Sequence, residues 1–361
     1  MVPSTAHSLA TDFLSVVPVC ADHEPVRTLI QEYQLNRIPI RWPIAPEATS
    51  AIDVFYRNGF IQRLARESVP RILESYVYFT VAEMKEMVAL ALRHLHGEPL
   101  RGVGLDLGSG SALLASVVAR EKSVEAVLAI EICEQAATLL MPKVASWVMG
   151  KDAHKVIPVV GSFNDLRLPN ESIDFAVEID SFHHSNDLAL TFRECARVLK
   201  PGGTLLCFDR VWPNEHPDDD LKRLLEVIYP PAYLVAHGYP ADLVLSRKAN
   251  GEHEYKLAQW QQAFRTAGFD LVKLCKFMQK TSHRRALKGV LSILPEKVRR
   301  VFYQTDNATL ETSRQWLSQQ LIATRRLLNG RNNVAAPDNW PQQDLFAPRE
   351  TSVFFLRKSI S

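Results

Sequence analysis

The sequence is poor in cysteine, and its few cysteines do not form a recognisable pattern. The 361 residues include five, which are Cys20, Cys133, Cys195, Cys207 and Cys275. They are odd in number and scattered, and no two form a Cys-x-x-Cys pair. This distribution favours neither a disulfide framework nor a zinc site. We therefore expect a cytoplasmic protein without a bound metal.

A surplus of one charge and a long apolar run are also lacking. The chain has 42 Lys and Arg against 40 Asp and Glu. Such a balanced chain has no strong field to attract nucleic acid or a membrane, so we expect a small-molecule partner. No stretch approaches the roughly 20 apolar residues that cross a bilayer. Thr11 and Asp12 interrupt the apolar run near the N-terminus, which argues against a signal peptide and favours a soluble protein.

The most informative stretch is residues 104–112, GLDLGSGSA. It follows an apolar run typical of a β-strand and opens a helical one. A strand that turns through Gly108 and Gly110 into a helix lets a ligand lie against bare backbone and helix N-terminal N–H groups. The third glycine position of a dinucleotide fingerprint is Leu113 here, which argues against NAD. The carboxylate of Asp106 would repel a phosphate and attract an ammonium or sulfonium group.

A second motif strengthens this interpretation. Residues 197–203, RVLKPGG, end a helix and turn into a strand. With the Asp-x-Gly-x-Gly stretch at 106–110, the chain resembles the class I S-adenosylmethionine (SAM)-dependent methyltransferases from about Gly102 to Gly268, and again at 351–357. The resemblance implies SAM as cofactor and a doubly wound, mostly parallel α/β sheet of seven strands.

The alternation of β and α patterns agrees with such a sheet. We predict strands near 102–107, 126–131, 155–160, 173–179, 203–209, 269–277 and 351–357. A helix is predicted over 81–96, with Thr80 and Glu83 forming a capping box. The predicted regions are an N-terminal helical extension (1–96), a SAM-binding core (97–280) with an acceptor-side insertion (211–256), a helical insertion (281–350) and the final strand (351–361).

The resemblance also implies a set of cofactor-binding residues. Glu131, 23 residues after Gly108, ends the second strand, where a carboxylate can accept hydrogen bonds from both ribose hydroxyls. Ser162 stands where the family usually has an Asp for the adenine amino group, and Asp165 is an alternative. The predicted cofactor site comprises Asp106, Gly108, Ser109, Gly110, Glu131, Ile132, Ser162, Phe163 and Glu178.

The loop after the fourth strand carries two adjacent histidines, His183 and His184. It ends a central strand of an open α/β sheet, so we expect it to face the transferable methyl group. Three interpretations stay open: a structural loop motif, a general base, or part of a metal site. We predict no metal. Asp180 would orient a histidine or hold the SAM ammonium group.

The fifth strand also ends in ionisable residues, Asp209 and Arg210. Asp209 joins His183, His184 and Asp180 as a candidate catalytic residue. Further on, residues 251–255, GEHEY, carry three ionisable side chains just before a helix. They could serve as bases, but we interpret them as a solvated turn before the helix.

These patterns predict a methyltransferase that acts on a small-molecule or sugar-containing metabolite by SN2 displacement. A second hypothesis moves the acceptor to a membrane-associated lipid or glycan, because the stretch that contains Arg284, Arg285, Arg299 and Arg300 is basic and amphipathic. A third hypothesis is a non-catalytic partner that binds SAM and regulates a complex. A nucleic-acid substrate is not expected, and a homodimer is left open.

Overall fold

A computed structural model describes residues 25–45, 59–77, 79–94, 100–229, 231–236, 239–240, 242–278, 295 and 350–360. The strands are β1 (Ile40–Arg41), β2 (Gly102–Leu107), β3 (Val124–Glu131), β4 (Val156–Val160), β5 (Ile173–Ile179), β6 (Leu199–Asp209), β7 (Phe269–Met278) and β8 (Glu350–Lys358). The α-helices are α1 (Val26–Asn36), α2 (Phe60–Leu64), α3 (Val69–Ile72), α4 (Val81–His94), α5 (Leu113–Val118), α6 (Met141–Met149), α7 (Leu188–Val198), α8 (Asp218–Glu226), α9 (Pro231–Ala236) and α10 (Leu257–Thr266).

The strands form one mixed sheet in the order β1-β4-β3-β2-β5-β6-β8-β7. All neighbours are parallel except the pairs β6 with β8 and β7 with β8. From β2 the chain adds strands on one side, β3 and then β4, and from β5 it adds β6 on the other side. The order of connection therefore reverses between β2 and β5, although these two strands are parallel. Ligands bind at such a switch point, outside the carboxyl ends of the strands.

Side chains alternate along each strand and pack into two apolar layers, one on each face of the sheet. On β6, Leu206 and Phe208 pack with helices α2 to α6, whereas Leu205 and Cys207 pack with α1, α7 and α10. All four side chains are fully buried. The period of two along the strand thus produces a three-layer α/β/α arrangement.

The structure confirms the mostly parallel α/β fold and all seven predicted strands, but the described residues contain an eighth. The additional strand, β1, pairs with β4 through Ile40 and Val159. It lies in the N-terminal extension, which we expected to be helical. Its two residues stand between Pro39 and Pro43, and so short an edge strand leaves no alternating pattern to detect.

The capping box of α4 is confirmed. The Thr80 N–H donates to the Glu83 carboxylate at 2.8 Å, and the Glu83 N–H donates to the Thr80 hydroxyl at 3.2 Å. Apart from Pro295 and Glu350, the predicted insertion at 281–350, which includes Arg284, Arg285, Arg299 and Arg300, lies outside the described residues. Within the described part of the chain, no helix is long and apolar enough to cross a membrane.

Candidate active site

The glycine turn after β2 adopts a backbone conformation that requires glycine. Gly108 has φ +71° and Gly110 has φ +53°, in the left-handed region. A Cβ atom on Gly108 would lie 2.5 Å from Cβ of Ser181, in the loop after β5. The Ser181 hydroxyl also donates to the Leu107 carbonyl at 2.7 Å. The loops after β2 and β5 therefore meet at Gly108.

Asp106 lies beneath this turn and is fully buried. Its Oδ2 accepts the Ala115 N–H at 2.9 Å, in the first turn of α5. Its Oδ1 is buried without a hydrogen-bond partner among the described residues. Burial raises the pKa of Asp106 to about 7. Asp106 therefore holds the helix N-terminus in place and keeps one carboxyl oxygen unsatisfied below the glycine turn.

Glu131 lies beside the turn at the end of β3. Its Oε2 accepts the Gly110 N–H and its Oε1 accepts the Cys133 N–H, both at 2.8 Å. Burial raises the pKa of Glu131, and these backbone hydrogen bonds oppose the shift. A carboxylate has about four lone-pair sites, so capacity remains for a further donor.

The other predicted cofactor residues occupy different positions around the turn. Phe163 lies within 3.5 Å of the point where a Gly108 Cβ would be, and Ile132 is half-buried after Glu131. The Ser162 hydroxyl accepts the Asn164 N–H at 3.1 Å. Ser109, also buried, donates its hydroxyl to the Asp106 carbonyl at 2.7 Å, whereas the alternative residue Asp165 pairs with Arg167 at 2.5 Å.

Two residues at the turn were missed by sequence reasoning. Tyr76, from the N-terminal extension, would lie 3.3 Å from a Cβ on Gly110. Ser181 contacts the turn as described above. Tyr76 gave no signal beyond being one of several aromatics in the extension, and a single serine in a loop gives none.

Glu178 is placed inside β5 rather than in the open crevice. It is fully buried, and its Oε2 accepts the Ser181 hydroxyl at 3.0 Å. Burial and the nearby Asp209 raise its pKa well above the usual range. Glu178 is therefore connected to the glycine turn through its hydrogen bond with Ser181.

The ends of β5 and β6 bring the candidate catalytic residues together. His183 donates its backbone N–H to Asp209 Oδ2 at 3.0 Å, and its ring Nδ1 lies 2.7 Å from Asp209 Oδ1. Both side chains are buried. Burial and the Arg210 charge lower the pKa of His183, but Asp209 and Asp180 outweigh them, and the net pKa is raised. The pair forms a buried His–Asp dyad.

Asp180 and His184 flank this dyad. Asp180 has φ +53°, unusual for a residue other than glycine, and its Oδ1 lies 3.9 Å from His183 Nδ1. His184 Nδ1 lies 3.1 Å from the Gly251 carbonyl oxygen, and the two histidine rings are 4.2 Å apart. Burial and the neighbouring His183 lower the pKa of His184 to about 4, so His184 is neutral at pH 7.

The interpretation of residues 251–255 as a solvated turn was wrong. Glu252 has 12% and Glu254 only 1% of its side chain exposed, because both pair with arginines. Arg210 contacts Glu252, and Arg247 lies 2.6 Å from Glu254 and 3.4 Å from Glu252. Although burial opposes ionisation, Arg210 holds the pKa of Glu252 well below its usual range. No sequence motif pointed to Arg247.

Glu252 also faces the dyad. Its Oε2 lies 3.7 Å from His183 Nε2. By spacing alone, two sets of ligand atoms could hold a metal ion, those of His183, His184 and Glu252 and those of Asp180, His183 and Asp209, because each set lies within 4.8 Å. The absence of a metal remains a prediction.

Comparisons with known proteins show what part of this chain is similar to. Residues 105–207 match the sequence model of a methyltransferase domain family. A sterol 24-C-methyltransferase of Aspergillus fumigatus is 31% identical over 68 residues, 19% of this chain and 18% of that protein. A malonyl-[acyl-carrier protein] O-methyltransferase of Methylococcus capsulatus is 32% identical over 123 residues, 34% of this chain and 42% of that protein. The chain thus matches less than half the length of either relative.

Solved structures with a similar chain path include two methyltransferases. A Haemonchus contortus phospholethanolamine N-methyltransferase 2, bound to phosphomonomethylethanolamine and S-adenosylhomocysteine, is 16% identical, with a TM-score of 0.44 over 76% of this chain and 53% of that chain. A geranyl diphosphate methyltransferase in complex with SAM is 11% identical, with a TM-score of 0.44 over 76% of this chain and 85% of that chain. The family match at 105–207 covers the glycine turn, Glu131 and the histidine pair. Residues 105–207 are therefore similar to a methyltransferase domain, which agrees with the predicted resemblance to the class I SAM-dependent methyltransferases and with S-adenosylmethionine as their cofactor.

Proposed function

We propose that the protein transfers a methyl group from SAM to a small-molecule or sugar-containing metabolite. The observation that carries this proposal is the dyad of His183 and Asp209 beside the glycine turn. Ser181 contacts the turn at Gly108 and is only two residues from His183. A group that can accept a proton thus lies next to the glycine turn.

The residues of the turn fit SAM. The left-handed glycines expose backbone for a close ligand, Glu131 has lone pairs left for the ribose hydroxyls, and the unsatisfied Asp106 oxygen favours a nearby positive charge. When bound, SAM supplies a methyl carbon on a sulfonium sulfur. We assign Asp106, Ser109, Gly110, Glu131 and Phe163 to its binding, in the places described above.

The chain's own residues then position the acceptor and hold its proton. Asp209 accepts a hydrogen bond from Nδ1–H of His183, so the lone pair is on Nε2, which can serve as a general base. Asp180 adds negative charge that stabilises the imidazolium. His184, neutral at pH 7, contributes an uncharged imidazole to the wall of the site.

Transfer of label from [methyl-³H]SAM to a metabolite extract tests the proposal. We expect label in a small organic product with the wild-type protein, and none with His183→Asn, whereas both proteins bind SAM in calorimetry. A protein that binds SAM but labels no compound would instead support a non-catalytic regulatory partner. Label in the lipid fraction alone would favour a membrane-associated acceptor.

A further inference from the structure

The position of Glu252 restricts what can bind beside His183. Glu252 Oε2 lies 3.7 Å from His183 Nε2, which is too long for a hydrogen bond. Arg210 keeps Glu252 ionised, and an ionised carboxylate only accepts hydrogen bonds. Tyr229 donates to the other oxygen, Oε1, at 3.3 Å. Two acceptor atoms, Glu252 Oε2 and Nε2 of neutral His183, therefore lie 3.7 Å apart, and Arg210 and Arg247 also contact Oε2.

The charge of the site restricts the ligand further. Four acidic side chains, those of Asp180, Asp209, Glu252 and Glu254, surround it, and two guanidiniums, Arg210 and Arg247, lie among them. Both guanidiniums are already bound to carboxylates. An acceptor that carries a carboxylate or phosphate here would meet excess negative charge without an available cation from this network.

Resting on the methyl transfer proposed above, we propose that the acceptor is a compound without negative charge that has two hydroxyls on adjacent carbons, as in a sugar or a catechol. One hydroxyl donates to His183 Nε2 and is methylated. Its neighbour donates to Glu252 Oε2 and fixes which oxygen reacts. Hydroxyls on adjacent carbons are close enough to reach both atoms at ordinary hydrogen-bond lengths of about 2.8 Å.

The step balances with these groups alone. The acceptor oxygen forms a bond to the methyl carbon as the bond from that carbon to sulfur breaks, and the sulfur keeps the electron pair. The hydroxyl proton moves to Nε2 of His183. S-adenosylhomocysteine leaves as a neutral thioether, and the imidazolium returns its proton to solvent after the methyl ether departs.

Periodate tests the acceptor class in an extract, because it cleaves the carbon–carbon bond between adjacent hydroxyl-bearing carbons of a sugar and oxidises a catechol to a quinone. The extract is oxidised, excess periodate is destroyed, and only then are protein and [methyl-³H]SAM added, because periodate also cleaves the SAM ribose. We expect labelling to fall at least tenfold relative to a mock-treated extract, and the product to be a methyl ether with a free hydroxyl on the next carbon. Undiminished labelling, or a methyl ester, N-methyl or C-methyl product, overturns this inference but leaves methyl transfer standing. No labelling of either extract overturns the proposed function as well.

The role of Glu252 is tested separately with Glu252→Gln. A hydrogen bond to a charged group contributes about 1.5–3 kcal/mol, so we expect the acceptor KM to rise about tenfold to a hundredfold. SAM affinity and the melting temperature report whether the variant folds. Glu226→Gln, at the exposed end of α8, is the matched control and should leave KM unchanged. An unchanged KM in folded Glu252→Gln contradicts the assignment.

Discussion

Asp209 binds His183 at two atoms, accepting the backbone N–H on Oδ2 at 3.0 Å and facing ring Nδ1 with Oδ1 at 2.7 Å. The first contact fixes the loop after β5 to the end of β6, and the second fixes the ring and its tautomer. A carboxylate that holds Nδ1–H leaves Nε2 as the basic atom. The position and the chemistry of the imidazole thus depend on one buried side chain.

The dyad predicts a pH profile. Neutral His183 is the active form, and its pKa lies above 6.5, so kcat/KM should rise with pH through a midpoint above 6.5. In Asp209→Asn the amide can donate to Nδ1 and select the wrong tautomer, so activity should fall at least about 10²-fold. Any residual activity should have a lower midpoint, because the negative charge is gone. Labelled transfer between pH 5.5 and 9 measures both effects.

SAM affinity provides the control for this variant. Since the side-chain amide of Asp209→Asn keeps an oxygen for the His183 N–H, the loop should stay in place and the Kd for SAM should be unchanged. If kcat/KM of the wild-type protein did not rise between pH 6.5 and 9, the assignment of His183 as the base would be contradicted.

The close contact at Gly108 gives a second prediction. An alanine at φ +71° costs about 1–2 kcal/mol in backbone strain, and its Cβ would also displace Ser181, 2.5 Å away. Gly268, with φ +85° and nothing within 4 Å of its Cβ position, separates the two effects. In Gly268→Ala, the free energy of unfolding measured in urea should fall only by the strain energy, and SAM affinity should be unchanged. In Gly108→Ala, the free energy of unfolding should fall further, and SAM should bind at least tenfold more weakly. Equal decreases in the free energy of unfolding, with SAM binding intact in both variants, would contradict the contact.

The sequence predicted the sheet well because its signals are local. The strands around Asp106, Glu131 and Asp209 are apolar runs bounded by turn residues, and the capping box of Thr80 and Glu83 is readable from four residues. Their positions in the fold follow from the regular α/β alternation.

Residues that depend on distant pairing were not predictable. Glu252 and Glu254 looked solvated because charged side chains before a helix usually are. They are buried through Arg210, some 40 residues away in sequence, and Arg247, for which no motif exists. Strand β1 likewise exists only through its pairing with Val159 and its neighbour. Sequence patterns report local periodicity, whereas these features arise from tertiary contacts.

The buried Asp106 predicts that SAM affinity depends on pH. Burial raises the pKa of Asp106 to about 7, so below that value it is mostly neutral and attracts a cation weakly. The Kd for SAM should therefore fall as the pH rises from 6 to 8, with proton release on binding near pH 6.5. Calorimetry in two buffers of different ionisation enthalpy measures this release.

Two controls isolate the effect of Asp106. S-adenosylhomocysteine lacks the sulfonium charge but keeps the amino acid group, so its affinity should change less with pH. Asp106→Asn cannot ionise and should lose the pH dependence altogether. The same slope for SAM and S-adenosylhomocysteine in the wild type would show that Asp106 does not sense the sulfonium.

The contact of Arg210 with Glu252 predicts that activity needs no metal ion. The ligand atoms of His183, His184 and Glu252 are close enough to bind a cation, but Arg210 already holds the Glu252 oxygen that faces His183. A divalent ion there would have to displace or approach a guanidinium, which like charges oppose. Dialysis against EDTA should change labelled transfer less than twofold, and Zn²⁺ or Co²⁺ should not raise the melting temperature.

Arg210→Met removes the guanidinium, so this variant should gain Co²⁺ binding, visible in its d–d absorption. Loss of wild-type activity in EDTA with recovery on adding a divalent metal would assign the histidine pair to a metal site instead.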